Sequence, residues 1–352
     1  MMIRVAINGF GRIGRGAFKV WFDNHREALE VVAINDLVEA EILASLLKYD
    51  SVYGVWNHEV AGSKVVRDSE PDESEQIGKI SVDGAEIATF AAKDPTNLPW
   101  KDLGIDVVIE STGRFTKSED AEKHITAGAK KVVISAPGKE TPTFLLGVNE
   151  EDYKGENVIN NASCTTNCIA PVAKVMQEKF GIKKAMMTTV HAVTAEQNLV
   201  DGPPPGGKAN DLRRARSALV NIIPTTTGAA IATTEVIPEL KGKFDGTALR
   251  VPVIVGSISD FTFLLEKPAS VEEINSALET ASKETPLKGI MAVSKEPLVS
   301  SDIIGRPESS IVDLSLTQVV DGDMVKVFAW YDNEFGYANR LIEQVISIGT
   351  HL

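Results

Sequence analysis

Over its first third the chain alternates short apolar runs with helix-compatible stretches, the pattern of buried parallel strands joined by crossover helices. Ile3-Arg-Val-Ala-Ile7 predicts a strand that leads at once into Asn8-Gly9-Phe10-Gly11-Arg12-Ile13-Gly14 and a helical segment from Arg15 to Phe22. Val31-Val-Ala-Ile34 predicts the next strand, ending at Asn35-Asp36 ahead of a helix-like Glu39-Ala-Glu-Ile-Leu43. Residues 49 to 100 read as an antiparallel excursion with strands at Lys64–Arg67, Lys79–Val82 and Ala85–Phe90, and Val82-Asp83-Gly84 as a hairpin signal. The acidic run from Asp68 to Glu75 reads as a solvated loop. Parallel-sheet character returns at Val107–Glu110 and Val132–Ser135, each followed by a turn of small residues.

The second half changes character. A helix is predicted from Cys164, with Cys168, Val172 and Val175 on one face and Pro171 close enough to its start to be tolerated. Ala185–Val190 predicts a strand that ends at His191-Ala-Val-Thr194, and Asp201-Gly-Pro-Pro-Pro-Gly-Gly207 an irregular loop. Val253–Leu265 and Ile311–Trp330 read as long strands of a mixed or antiparallel sheet. A last helix spans about Glu334 to Ser347, with Leu341, Ile342, Val345 and Ile346 at core spacing. There is no solenoid repeat and no low-complexity tail.

Composition narrows the function classes. The 352 residues suffice for two domains with their own cores, and 43% hydrophobic with 24% charged residues is ordinary for a globular protein. A formal net charge of -13 argues against general binding to nucleic acid or anionic membranes. The two cysteines, Cys164 and Cys168, lie four apart on a predicted helix rather than in bridging geometry, so no structural disulfide is expected. With no signal-like or membrane-spanning run, the chain is expected in a reducing cytoplasm.

Four features carry chemistry. Gly9, Gly11 and Gly14 form G-x-G-x-x-G in a strand-turn-helix context, with the acidic Asp36 at about the 20-residue offset that suits a ribose diol. The alternative is a glycine turn plus an N-capping Asp. The same carboxylate repels a 2′-phosphate, which favours NAD over NADP. Cys164 stands at a predicted helix start, where unpaired N–H groups stabilise a thiolate; a small core-filling cysteine is the alternative. His191 stands at a strand end where a base is useful, or where a histidine simply packs. Arg213, Arg214, Arg216 and Arg250, with Pro224-Thr-Thr-Thr227-Gly228, offer the guanidinium, hydroxyl and N–H donors of a small phosphate site, or else surface arginines and a helix cap.

Taken together, Asn8-Gly-Phe-Gly-Arg-Ile-Gly14, Ala162-Ser-Cys-Thr-Thr-Asn-Cys168, Val190-His191, Thr227-Gly228, Arg250-Val-Pro252 and Trp330-Tyr-Asp-Asn-Glu334 resemble phosphorylating glyceraldehyde-3-phosphate dehydrogenases, from residue 2 to the C-terminus. The resemblance implies an α/β chain with a Rossmann-type doubly wound dinucleotide-binding domain at residues 1–163, completed by a C-terminal helix at 334–352. An α+β catalytic domain with a mixed or antiparallel sheet then occupies 164–333. It further implies NAD as cofactor, Cys164 as nucleophile and His191 as its base. Gly9, Gly11, Arg12, Ile13, Gly14, Asp36, Ser135 and Asn333 would contact the cofactor, Asn333 orienting the nicotinamide. Lys93 stands where the family often has an adenosine-side Arg. Thr194 and Arg250 would hold the phosphate of glyceraldehyde 3-phosphate, and Ser163, Thr165, Thr227 and Gly228 inorganic phosphate, with Arg214 near both. The product would be 1,3-bisphosphoglycerate, formed through a Cys thioester, and the assembly a homotetramer. An erythrose-4-phosphate dehydrogenase would use nearly the same residues, and a non-catalytic nucleotide-binding protein could keep the fold. The segment between Asp201 and Asp211 is longer than usual for the family, which bears on the cross-subunit adenosine contact.

Overall fold

The computed structural model describes residues 2–66, 71–204 and 211–352. The chain forms two compact units: residues 1–144, 152–162 and 338–352 make the first, and residues 145–151 and 163–337 the second.

The first unit begins with β1 (Ile3–Asn8), α1 (Arg12–Asn24), β2 (Leu29–Asn35) and α2 (Ala40–Lys48). A small ribbon of β3 (Tyr49–Asp50) and β4 (Gly54–Val55) leads to β5 (Val60–Lys64), β6 (Gly78–Val82) and β7 (Ala85–Phe90). Then come β8 (Val107–Glu110), α3 (Ser118–Thr126), β9 (Lys131–Ile134) and β10 (Val158–Asn160). The sheet order is β10-β9-β8-β1-β2-β7-β6-β5. From β10 to β7 all pairs are parallel, and β6 and β5 add an antiparallel edge. The chain therefore grows outward from β1 in one direction and from β8 in the other, so the strand order reverses between them, the switch point where open α/β sheets bind ligands. β8 and β9 are buried at every position, which explains their unbroken apolar runs.

The second unit opens with α4 (Cys164–Phe180), then β11 (Ile182–His191), β12 (Ile223–Thr226), α5 (Ala229–Val236), β13 (Phe244–Arg250) and β14 (Ser257–Leu265). It continues through α6 (Val271–Lys283), β15 (Met291–Ser294), β16 (Ser310–Asp313), β17 (Gln318–Val320) and β18 (Met324–Tyr331). The last helix, α7 (Phe335–Gly349), starts in this unit and joins the first from Ala338 onward. The second sheet runs β12-β13-β11-β14-β18-β16-β15, with β17 on β18. It is mixed: β11–β13 and β15–β16 pair in parallel, the others antiparallel. β14 alternates buried and half-buried residues along its whole length, presenting Ser257, Ser259, Phe261, Phe263 and Leu265 to the interior. Helix α4 is buried over most of its circumference, as its low amphipathicity requires.

Several strand limits differ from the sequence pattern. The strand expected at Lys64–Arg67 lies at Val60–Lys64, with Val66 exposed. Its register is fixed by pairing with β6, which the tight Asp83-Gly84 turn, both residues at positive φ, joins to β7. Arg67 and Asp68–Glu70 of the acidic run lie outside the described residues, as do Pro205–Gly207 of the irregular loop. β14 starts at Ser257 rather than Val253. Ile311–Trp330 divides into three strands, because a 3₁₀ turn at Leu314–Leu316 and a positive-φ turn at Asp321-Gly322 interrupt it. Pro171 is well inside α4 rather than near its start, and the helix nevertheless continues to Phe180.

Phe261 and Phe263 stack at 5.4 Å and are fully buried in the second unit. Phe261→Ala should remove about 3–5 kcal/mol of unfolding free energy through lost burial and a cavity. Urea unfolding of the variant against the parent checks this; a change under about 1 kcal/mol would show that the interior relaxes around the gap.

Candidate active site

In the first unit the glycine turn is shaped by what a side chain would strike. Gly9 has φ +92 and a Cβ there would fall 2.6 Å from the Thr112 backbone nitrogen. At Gly14 a Cβ would lie 2.2 Å from the Gly9 carbonyl oxygen, so the first turn of α1 closes directly on the loop. A Cβ on Gly11 would meet nothing within 4 Å, which leaves approach to the turn open. Gly11 is the N-cap of α1 and no side chain caps the helix. The helix start, including Arg12 and Ile13, thus offers a positive partial charge, suited to the phosphates of a dinucleotide. Arg12 itself is bonded to Asp50 at 2.7 Å.

Asp36 is not a helix cap, since Glu39 precedes α2. Its Oδ2 accepts the Phe10 N–H at 2.7 Å and its Oδ1 the Val38 N–H at 3.1 Å, which fixes the carboxylate beside the glycine turn. Asn35 pins the next strand's exit: Ala92 N–H donates to its Oδ1 at 2.8 Å, and its Nδ2 donates to the Ala92 carbonyl at 3.0 Å. Lys93 follows immediately, so it stands at the same end of the sheet. Ser135 follows β9 there too, its N–H donating to the Glu110 carbonyl at 2.9 Å. Beneath the turn lies a buried polar network that the sequence did not signal. Asn8 donates to Glu110 at 2.5 Å and accepts from Asn35 at 2.7 Å, while His124 bridges Glu110 and the Trp100 indole. Trp100 N–H must donate to His124 Nδ1, so His124 carries its proton on Nε2, toward Glu110. Glycines that admit no side chain, an uncapped helix start and a fixed carboxylate fit a dinucleotide.

In the second unit Cys164 is the first residue of α4 and His191 the last of β11. Sγ and Nε2 are 3.5 Å apart. Ser163 caps the helix, its Oγ accepting the Thr166 N–H at 3.1 Å. His191 Nδ1 lies 2.6 Å from the Ala192 carbonyl oxygen and 2.5 Å from Arg250 Nη1. A guanidinium only donates and a carbonyl only accepts, so Nδ1 cannot satisfy both. Arg250 also donates to the Ala192 oxygen, at 3.1 Å, and one carbonyl can accept both. If Nδ1–H donates to that carbonyl, Nε2 is the unprotonated nitrogen, and it is the one that faces the thiol.

Burial pushes the Cys164 thiol up, against the pull of the Arg250 charge and of donors on Thr165. Cys164 as a residue is half-buried rather than fully enclosed. Burial and the Arg250 charge hold His191 down at about 3. The resting pair is neutral thiol and neutral imidazole. Cys168 is fully buried and pushed up to about 12, again by burial, which makes it an inert neighbour.

Arg250 and His191 are paired residues on parallel neighbouring strands, which is what brings them together. Thr227 accepts the Ala229 N–H at 3.2 Å and with Gly228 opens α5. The Thr194 Oγ1, Gln197 Nε2 and Thr225 Oγ1 atoms are buried with no partner among the described residues, as expected of groups awaiting a ligand. Arg214 is engaged: it pairs with Asp211 at 2.8 Å and with Glu196. Glu196 also approaches Arg250, at 3.9 Å. Thr165 is tied by its hydroxyl to Tyr331, at 2.9 Å, and Tyr331 reaches Thr189 at 2.8 Å. Asn333 Oδ1 accepts the Gly256 N–H at 3.2 Å and the Ser257 hydroxyl at 3.0 Å. Tyr331, Glu196 and Ser257 were not singled out from the sequence. Tyr331 lay inside the quoted Trp330–Glu334 motif, whereas nothing local marks the other two.

Residues 3–118 match the family profile described as glyceraldehyde 3-phosphate dehydrogenase, NAD binding domain, and residues 163–333 the profile of its C-terminal domain. The chain belongs to the glyceraldehyde-3-phosphate dehydrogenase family. It is 52% identical to a glyceraldehyde-3-phosphate dehydrogenase of Geobacillus stearothermophilus over 348 residues, 97% of each chain. Against that of Streptomyces coelicolor it is 49% identical over 355 residues, covering all of both. Against that of Mycobacterium avium it is 49% identical over 357 residues, again covering both. Membership makes the chain an NAD-dependent oxidoreductase with a Rossmann domain. No helix among the described residues is long and apolar enough to cross a membrane.

The His191 shift makes a prediction about acid stability. Its pKa falls from 6.5 to about 3 on folding, so below pH 6.5 the unfolded chain takes up a proton that the folded chain refuses. Stability from this group is intact above pH 6.5 and is lost as pH falls toward 3. His191→Asn should therefore lose less of its urea midpoint between pH 7 and pH 4 than the parent, by roughly the weight of one buried titrating group. Equal losses in both proteins would remove His191 from the acid limb.

Proposed function

We propose that this chain oxidises and phosphorylates glyceraldehyde 3-phosphate, with Cys164 as nucleophile and His191 as base. The observation that carries this reading is the pair itself: the sulfur of a half-buried cysteine at a helix start, 3.5 Å from Nε2 of an imidazole whose Nδ1 contacts the Ala192 carbonyl. As the thiol adds to the aldehyde carbon, a C–S bond forms and its proton passes to His191 Nε2. The developing oxyanion finds donors at the α4 start and in the newly protonated imidazole. NAD, when bound, accepts the hydride, which leaves a thioester on Cys164. An oxygen of inorganic phosphate then attacks the thioester carbon and the thiolate departs, giving 1,3-bisphosphoglycerate.

The same reading gives roles to the surrounding groups. Thr194 and Arg250 bind the phosphate of the substrate, and the unpartnered Thr194 hydroxyl supports that. Ser163, Thr165, Thr227 and Gly228 receive the attacking phosphate, with Arg214 adjoining. Gly9, Gly11, Arg12, Ile13, Gly14, Asp36, Lys93, Ser135 and Asn333 hold NAD, and Asp36 disfavours NADP by charge. The proposed domains are residues 1–163 with 334–352 for the cofactor and 164–333 for catalysis. The working form in this reading is a homotetramer, for which the exposed Leu199, Val200, Leu219, Val220 and Ile222 offer an association surface, and its compartment is the cytoplasm.

The decisive experiment follows NADH absorbance with glyceraldehyde 3-phosphate or erythrose 4-phosphate, NAD or NADP, and phosphate present or omitted. Phosphate-dependent NADH growth with the triose and NAD is expected, and a higher kcat/KM on the tetrose would transfer the assignment to that substrate. Cys164→Ser should abolish turnover while NAD still binds; activity near that of the parent would dismiss the thiol as nucleophile. For the phosphate site, Arg250→Leu should raise the KM for the aldehyde more than it weakens NAD, roughly ten-fold or more for a lost charged hydrogen bond. The opposite ranking would put the site elsewhere.

A further inference from the structure

We infer that Ser257 is a positioning residue, its hydroxyl holding the base-bearing end of β11 and the Asn333 amide in one fixed register. The inference rests on the functional reading of His191 and Asn333 given above.

The placement follows from sheet order. β14 lies between β11 and β18, and it runs antiparallel to both. The first residue of β14 is therefore flanked by the last residues of its two neighbours. Ser257 pairs with Tyr331, and Ile258 with Val190, so the chain leaving β11 at His191-Ala192 and the chain leaving β18 toward Asn333 pass on either side of it. Ser257 is fully buried. Its Oγ accepts the Ala192 N–H at 3.1 Å and lies 3.0 Å from Asn333 Oδ1.

The proton directions are forced. An N–H can only donate and an amide oxygen can only accept, so the hydroxyl takes the Ala192 hydrogen bond and gives its own proton to Asn333. The same amide oxygen accepts the Gly256 N–H, at 3.2 Å. With Oδ1 thus turned toward two donors, Asn333 presents its Nδ2 hydrogens elsewhere, toward an acceptor such as a carboxamide oxygen. On the other side, Ala192 is the residue whose carbonyl oxygen contacts His191 Nδ1, through the peptide that follows the one Ser257 holds. One hydroxyl therefore anchors both the residue beside the base and the amide that would orient the cofactor. Ala cannot bridge: it would take the hydroxyl from the buried Ala192 N–H and leave Asn333 Oδ1 with the Gly256 N–H alone.

The test uses the full chain as parent, Ser257→Ala, Ser257→Thr and Asn333→Ala. Two readouts matter: the pH profile of Cys164 alkylation by iodoacetamide without cofactor, and NAD affinity by isothermal titration. Ser257→Ala should weaken NAD about ten-fold, the factor that one lost buried hydrogen bond corresponds to, and should shift the alkylation profile. Ser257→Thr, which keeps the hydroxyl, should recover both to within about three-fold. Asn333→Ala, whose amide bonds reach Gly256 and Ser257, should also shift the cofactor-free alkylation profile. Parent-like alkylation in Asn333→Ala, or a Ser257→Ala effect confined to one readout, overturns the inference. If Ser257→Ala does not fold, the Asn333→Ala arm still decides. Absence of triose-dependent NADH growth in the parent would count against the functional reading instead, since the two binding and alkylation readouts do not require turnover.

Discussion

The second unit holds a thiol and an imidazole under one constraint on charge: their surroundings resist both a thiolate and an imidazolium, and in the proposed mechanism the thiol must nevertheless lose its proton there. Burial pushes Cys164 up and His191 down, so each group is driven toward its neutral form. Neutral partners 3.5 Å apart are a good arrangement for a nucleophile that is to be activated only as it attacks. The positive groups nearby act in opposite senses on the two. Arg250 favours the thiolate and disfavours the imidazolium, so it couples the pair to whatever anion later shares its guanidinium. In the proposed reading, a phosphate bound at Arg250 would lower the net positive field at His191 and make the imidazolium less costly, so that the substrate would help to turn on the base.

Holding that geometry is the work of strand order. Parallel pairing of β11 with β13 sets His191 beside Arg250, and the antiparallel neighbours β14 and β18 bring Ser257 and Tyr331 to the same sheet end. Tyr331 then satisfies Thr165 and Thr189 with one hydroxyl and packs its ring edge-on to His191, at 6.0 Å. Burial keeps that phenol protonated, so it remains a donor in the network rather than a third charge. Such a network is stable only if its members are paired: Thr165, Thr189 and Tyr331 are, whereas among the described residues the Thr194, Thr225 and Ser259 hydroxyls are buried without a partner.

The sequence was legible where chemistry is written locally. The glycine turn, Asp36, the Cys164 helix start and the His191 strand end each carry their signal within a few residues, and the buried strands β1, β2, β8 and β9 follow from apolar runs. Strand limits failed where turns override propensity, as at Val253–Gly256, where Gly256 takes a positive φ, and at Asp321-Gly322. Pro171 shows the reverse: packing on nearly all sides keeps α4 intact through a residue that would break an isolated helix. Glu196 and Ser257 were invisible for a different reason. An acid five residues after a strand end, or a serine at the start of an alternating strand, has no distinguishing neighbours in sequence. Their meaning comes from contacts made across 18 and 76 positions of chain.

Glu196 bears on how the proposed phosphate site works. Arg214 is 8% exposed and Arg250 is mostly enclosed, and two buried guanidinium groups without an anion would repel each other and lack solvation. Glu196 reaches both, alongside the Asp211 carboxylate that Arg214 also pairs with, and relieves that while keeping the arginines charged and in place. It also sets a condition on any ligand. A neutral aldehyde gains nothing from displacing Glu196 from Arg250, whereas a phosphate offers more oxygens in the matching geometry than the long 3.9 Å contact does. Selectivity for a phosphorylated substrate then arises from competition between an internal carboxylate held at arm's length and an external dianion that fits better, rather than from exposed positive charge that any anion could use.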